Sequence, residues 1–232
     1  MFRAPFLSRS NMMLTTETSL SRSTELVCAR TSCDGATPAM VIADTLNLIE
    51  TVQLVQTILH EAFPTTTFAI AVTKKGNGSH LTVDWTDGPR DLQVARLVLP
   101  LQATRVVDGG KVKRVEHFML TSAGRLTVHL AADRIILSRQ FSDDAISRAI
   151  SRLAVRYADF LAPDVRAAMT VAGYRAGQLQ LLEVCGVHRT GSHRSGSNVQ
   201  MDVDAMLAET TDAHGFPRSI TAARLFVRRD TH

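Results

Sequence analysis

The sequence predicts an α+β protein in which an antiparallel sheet carries helices mainly on one face, preceded by a disordered N-terminal tail. Three observations support this. Apolar residues recur at helical spacing over residues 40–62; they alternate with period two on both sides of Gly76-Asn77-Gly78; and Ser142 opens a further amphipathic stretch after a second alternating pair. With 232 residues, 45% apolar and 21% charged, the chain is long enough for one sizeable core or two small ones.

The first 39 residues hold 12 Ser or Thr and no apolar periodicity, and are expected to be disordered. Arg3, Arg9 and Arg22 among Ser and Leu resemble a transit peptide, without the apolar stretch of a secretory signal. Met12, Met13 and Met40 offer later starts. A tail and an upstream extension both fit.

Over residues 40–62, Val41, Leu48, Val52, Val55 and Leu59 fall at spacings of seven, four, three and four, flanked by Ile42, Leu46, Ile49 and Ile58. A long helix with a wide buried stripe is expected. Phe63-Pro64 ends it, because proline disfavours helical geometry in the residue before it. Phe68, Ile70 and Val72, then Leu81, Val83 and Trp85, alternate around the glycine-rich tip, which predicts a hairpin. Pro89 is expected at the first helical position, with Asp91 in the first turn and Val94, Leu97, Val98 and Leu101 facing inward. Residues 115–120 and 125–130 form a second expected hairpin around Ser122-Ala123-Gly124, and 134–138 a further strand. Ser142 reads as an N-cap, with Asp143 and Asp144 in the first turn and Ile146, Ala149, Ile150, Leu153 and Tyr157 inward. After Pro163 the pattern weakens to a short helix (165–174), a strand (178–184), an exposed loop (186–198), a helix (199–209) and a closing strand (225–227).

No apolar run reaches the ~18 to 20 uncharged residues of a membrane-spanning helix, so no membrane partner is expected. Cys28, Cys33 and Cys185 cannot all pair within the chain, and a cytoplasmic location is the simplest expectation. The net charge of +4 and pI of about 9.3 permit a nucleic-acid partner. Arginine outnumbers lysine 22 to 4, but the excess is dispersed, as a GC-rich coding sequence would produce. One local cluster stands out: Arg105, Lys111, Lys113 and Arg114, with Lys74 and Lys75 at the hairpin tip. It reads as a solvated basic loop or as a phosphate-binding patch.

Ala62-Phe63-Pro64 before Phe68-Ala69-Ile70, Gly76 to Ser79, Val83-Asp84-Trp85-Thr86-Asp87-Gly88-Pro89, and Ala131-Ala132-Asp133-Arg134-Ile135-Ile136-Leu137-Ser138-Arg139 together resemble a known family. It is the large polyvalent protein-associated domain of class 29, found in bacterial mobile genetic elements alone and inside very large multi-domain proteins. The likeness runs over about residues 45–155, with a looser echo at Tyr174 to Leu179. This chain lacks the family's usual aromatic residue within 134–137, and has Val107-Asp108-Gly109-Gly110-Lys111 where Phe-Asp-Gly is common. The resemblance implies a plasmid, integrative-element or prophage setting and no assigned catalysis.

Each candidate residue has a structural reading beside a chemical one. Trp85 is a base-stacking platform or a core residue closing the hairpin. Asp87 is a general base or metal ligand, or part of the turn that Gly88 and Pro89 complete. Arg139, in the strand-ending motif, meets phosphate or pairs with a carboxylate such as Asp133 or Asp87. Cys185, His188 and His193, with His214 in reach, are weak metal candidates lacking paired-cysteine spacing, and a Cys185 nucleophile has no evident oxyanion hole. No phosphate loop, dinucleotide fingerprint, nucleophile elbow or zinc-protease helix is present, so no cofactor is expected. The expected organisation is a disordered segment (1–39), an α+β core (40–160) and a C-terminal α/β subregion docked on it (161–232). The expected function is that of a non-enzymatic accessory protein of a mobile element, binding DNA or RNA weakly. The alternative is a protein-interaction module that inhibits a host defence or restriction system.

Overall fold

The first helix starts later than apolar spacing alone predicts, because Asn47 halts it. In this computed structural model, which describes residues 43–76, 78–188 and 196–227, the Asn47 side chain accepts from the Glu50 N–H at 3.0 Å. The Glu50 carboxylate accepts from the Asn47 N–H at 2.8 Å. This reciprocal cap opens α1, Leu48–Ala62. Ahead of it Ala43–Thr45 form a strand, β1, so the helix expected over 40–62 is corrected to strand at 43–45, and its first residues, 40–42, lie outside the described residues. The segment expected to be disordered, with Cys28 and Cys33, lies outside the described residues, as does His193.

The fold class is α+β, as expected, but the single antiparallel sheet is corrected to three separate sheets among the described residues. β2 (Phe68–Lys75) and β3 (Gly78–Thr86) form the expected hairpin, and β8 (Arg134–Gln140) lies parallel to β3. A parallel neighbour needs a crossover of a dozen or more residues, which the chain between β3 and β8 supplies. It carries α2 (Asp91–Val98), a 3₁₀ turn at Leu99–Leu101 and two further hairpins. The first of these, β4 (Thr104–Val106) with β5 (Val112–Arg114), is a two-stranded ribbon in place of the expected loop. The second, β6 (His117–Thr121) with β7 (Gly124–His129), takes β1 as a parallel neighbour and β9 (Leu225–Val227) as an antiparallel one.

Apolar residues separate into two clusters. In the first, Val55, Ile58 and Leu59 of α1 and Val94 and Val98 of α2 cover one face of the β2-β3-β8 sheet, meeting Leu81, Val83, Trp85 and Ile135. The other face of that sheet carries small or polar residues, with Ala69, Ala71 and Thr73 exposed, apart from Ile136 of β8, which is 41% exposed. The second cluster forms around α3 (Asp143–Arg156), which starts at its expected Ser142 cap, the Ser142 hydroxyl accepting from the Ala145 N–H. Its stripe of Ile146, Ala149, Ile150 and Leu153 does not cover the sheet as expected. It meets Leu179 and the inner residues Val199, Val203 and Leu207 of the helix Val199–Glu209. Between them the expected 165–174 helix is two short ones, α4 (Pro163–Ala168) and α5 (Val171–Arg175). The expected 178–184 strand is a 3₁₀ turn at Gln178–Leu181: left-handed Gly177 (φ 70°) reverses the chain, burying Leu179 and leaving Leu181 85% exposed. The helix Val199–Glu209 is numbered α6.

From Thr210 the chain returns across the first cluster. The Thr211 hydroxyl donates to Gln93 at 3.1 Å, and Glu61 of α1 accepts from the Ser219 hydroxyl at 2.6 Å and from Thr221 N–H and hydroxyl at 2.9 and 2.8 Å. The Ser219 bond, then those of Thr221, hold the Glu61 carboxyl below its ordinary pKa. A short α7 (Ile220–Ala223) then delivers β9 to β6.

His117 is fully buried on β6, its Nε2–H donating to the Pro100 carbonyl at 2.8 Å. Burial pushes the imidazole below its ordinary value of 6.5, against the opposing pull of the Pro100 and Val115 carbonyls. The folded state therefore holds His117 neutral while the unfolded chain protonates it first. Its contribution to stability is full above the unfolded pKa and declines as pH falls through 6.5 toward the depressed folded value. Thermal unfolding of the wild type and His117→Gln at pH ~7.5 and ~5 should show the larger acid-side loss in the wild type. Equal losses would remove His117 as the cause.

Candidate functional site

The motif Trp85-Thr86-Asp87-Gly88-Pro89 closes the end of the hairpin. Trp85 is 3% exposed, its ring centroid 5.8 Å from that of Phe68 and its Nε1–H donating to the Pro89 carbonyl at 3.0 Å, so it offers no open face to a base. Asp87 and Gly88 take successive left-handed conformations, φ 56° and 63°. At Gly88 an added Cβ would stand 2.9 Å from the Thr66 side chain. Pro89 precedes the helix rather than opening it, because Arg90 is the N-cap and Asp91 the first helical residue.

Asp87 is bound on three sides. Its N–H donates to the Gln140 carbonyl at 2.8 Å, its Oδ1 accepts from the Ser142 N–H at 3.0 Å, and its carbonyl accepts from Arg139 Nε at 2.9 Å. Arg139 Nη2 donates further to the Gly88 carbonyl at 3.0 Å and the Thr210 carbonyl at 2.9 Å, and the guanidinium lies 4.8 Å from the centre of the Phe141 ring. The carboxylate partner expected for Arg139 is thus corrected to three main-chain carbonyls. The parallel register sets Arg139 opposite Trp85, directly beside the loop whose carbonyls it gathers. Burial lowers the Arg139 pKa, with Asp91, Asp87 and Asp212 opposing. Beside the loop a cleft of about 500 Å³ is lined by Thr65, Thr66, Thr67, Asp84, Thr86, Asp87 and Asp212, among others. The Asp87 carboxylate there already caps α3.

His188 is equally committed. Its Nδ1 accepts from the Val184 N–H at 2.7 Å, which places the proton on Nε2, donating to Asp202 Oδ2 at 2.9 Å. The Tyr157 hydroxyl donates to the same carboxylate oxygen at 2.7 Å, and the Gly196 N–H to the other. Burial, then the bond to Asp202, raises the Tyr157 pKa to about 12. With both ring nitrogens used, His188 has none to join Cys185, which is exposed, in holding a metal. Among the described residues no group of three or more His, Cys, Asp or Glu side chains could hold a metal ion.

The six basic residues of the sequence reading lie on two hairpins joined by Asp133. Lys74 pairs with Ser79 across the β2–β3 hairpin, and Lys75 with Gly78. The Ser79 N–H donates to Asp133 Oδ2 at 2.8 Å, the Asp133 N–H donates to the Ser79 carbonyl at 2.8 Å, and the Thr104 hydroxyl donates to the Asp133 carbonyl at 2.9 Å. Thr104 in turn pairs with Arg114, and Arg105 with Lys113. The links Lys74–Ser79, Ser79–Asp133 and Asp133–Thr104 thus connect the β2–β3 tip to the β4–β5 ribbon. Lys74, Arg105, Lys111, Lys113 and Arg114 are all exposed. Arg134, exposed at the start of β8 and opposite His80, joins the same end of the sheet. Alternation about buried Ile135 was the signal that Arg134 points outward.

The stretch from just before α1 to the cap of α3 is the part that recurs elsewhere. Residues 46–142 match the model of the family described as large polyvalent protein associated domain 29. The resemblance read from the motif is borne out over these residues, and α3 to β9 lie beyond it. No curated protein and no solved structure matches the chain.

Gly88→Ala should destabilise the protein by about 1–3 kcal/mol through left-handed strain and the Thr66 contact, read by chemical denaturation. Thr66→Ala in the same chain should recover part of the loss. An unchanged midpoint for Gly88→Ala would refute the tight-turn account.

Proposed function

We propose that the chain is a non-enzymatic accessory protein of a bacterial mobile genetic element that binds nucleic acid, weakly, through the basic end formed by the β2–β3 tip and the β4–β5 ribbon. The observation that carries this reading is the Asp133 brace, which brings cations more than thirty residues apart in sequence to one end of the fold. A row of exposed cations facing the same partner neutralises adjacent phosphates and releases their counterions, which a dispersed charge does not. The setting follows from what the family resemblance implies.

Anisotropy titrations of a labelled oligonucleotide across a salt series are expected to show affinity falling steeply with salt. Each of Lys111→Gln, Lys113→Gln and Arg114→Gln should reduce the slope of log K against log salt by about 0.9 if its charge meets a phosphate. No binding at low salt, or slopes unchanged in the triple variant, would overturn the proposal. One observation favours the alternative, a protein-interaction module: β2 is an edge strand of eight residues paired without interruption along β3, a surface to which another strand can add. A host-lysate partner retained after nuclease treatment and lost with Ala71→Pro on that edge would support it.

A further inference from the structure

We infer that the cleft between α2 and the returning chain binds a small amphiphilic carboxylate, its apolar tail against Leu97, Leu101, Ala222 and Leu225 and its head at Arg96 and Arg218. The inference goes beyond the nucleic-acid reading and does not rest on it. The cleft measures about 500 Å³, a size within the range of small-molecule sites. One wall is the end of α2 with the 3₁₀ turn that follows, and the other runs from Pro217 through α7 to β9. Its apolar lining continues the first cluster: Leu101 is buried, and Leu97, Ala222 and Leu225 are partly buried against that core. Ile220, also in the lining, is 69% exposed. A tail laid over these side chains removes from water apolar surface that the fold leaves partly uncovered.

The polar groups specify the head. Three polar side chains line the cleft, those of Arg96, Arg218 and Ser219. The Ser219 hydroxyl is already spent, donating to Glu61 at 2.6 Å and accepting from the Ala222 N–H at 2.9 Å. The two guanidiniums remain, both exposed and carried on opposite walls. Among the described residues neither has a carboxylate partner, whereas Arg139 spends its fork on main-chain carbonyls and Arg175 pairs with Asp143. No Asp or Glu lines the cleft. Of the acids close by in the fold, Glu61 is held by Ser219 and Thr221, Asp91 lies more than one turn before Arg96, and Glu116 has a partner of its own. A guanidinium matches a carboxylate in geometry as well as charge. An apolar lining beneath two such groups suits one anionic head on an apolar tail better than a wholly polar anion. A ligand seated there touches both α2 and the chain that returns to it.

The test is titration of the full chain with octanoate, hexanoate and octanol, followed by amide chemical shifts in isotope-labelled protein. Octanoate should bind saturably and shift the amides of Leu97, Ser219 and Leu225. Hexanoate, two methylenes shorter, should bind about tenfold more weakly. Arg96→Gln/Arg218→Gln, with its fold checked by circular dichroism, should weaken octanoate about tenfold and leave octanol unchanged. Ala223→Trp, at an exposed position of the lining, should weaken all three probes by filling the cleft. In the wild type, no saturable shift with octanoate, or shifts confined to amides away from the cleft, would overturn the inference without recourse to any variant. It fails equally if the arginine variant binds octanoate as the wild type does, if that variant loses octanol and octanoate alike, or if Ala223→Trp leaves the affinities unchanged.

Discussion

The guanidinium of Arg139 is the point on which the architecture turns. Two consecutive left-handed residues, Asp87 and Gly88, leave carbonyls that no strand partner can satisfy, and one rigid fork of donors meets both. The same group reaches Thr210, so it fastens the returning C-terminal chain as well. Asp87 completes the joint by capping α3 with its carboxylate. A single loop thus fixes where the hairpin ends, where the second helical cluster begins and where the chain comes back. Such a joint needs a glycine at Gly88 for clearance and a short polar residue at Asp87 that tolerates the left-handed region. This gives the motif a structural explanation before any chemical one is needed.

Local signals in the sequence were sufficient wherever one element decided its own geometry. The β2–β3 hairpin announced itself through Phe68, Ile70 and Val72 facing Leu81, Val83 and Trp85 across a tip rich in glycine, and α3 through Ser142, Asp143 and Asp144. The apolar run from Val41 points to a helix beginning at residue 40, whereas the Asn47–Glu50 cap fixes its start at Leu48. What could not be read was pairing between distant segments. β8 is parallel to β3 because of the long crossover between them, and β9 joins β6 from the far end of the chain. Neither leaves a mark in residue spacing. For the same reason the basic residues could be named from the sequence, while their convergence depends on Asp133, whose three bonds are long-range.

The two ends of the β2-β3-β8 sheet are chemically opposite. At one end lie Lys74, Arg134 and the ribbon cations; at the other, Asp84, Asp87 and Asp212 line the threonine-rich cleft. Arg139 and Arg90 stand near those carboxylates, so the modest net charge of +4 is spread unevenly along the strand direction, with exposed cations gathered at the first end. If the proposed nucleic-acid reading holds, such a distribution favours approach by the basic end.

The chain that returns after Thr210 also bears on modularity. The recurrent segment stops at residue 142, but its β6 edge is paired by β9, its α1 is held at Glu61 by Ser219 and Thr221, and its α2 is held at Gln93 by Thr211. The unit recognisable in sequence is therefore smaller than the unit that satisfies its own hydrogen bonds. In this chain the sequence beyond residue 142 supplies the strand for that edge, so a fragment ending there would leave one side of β6 open to pairing with another strand.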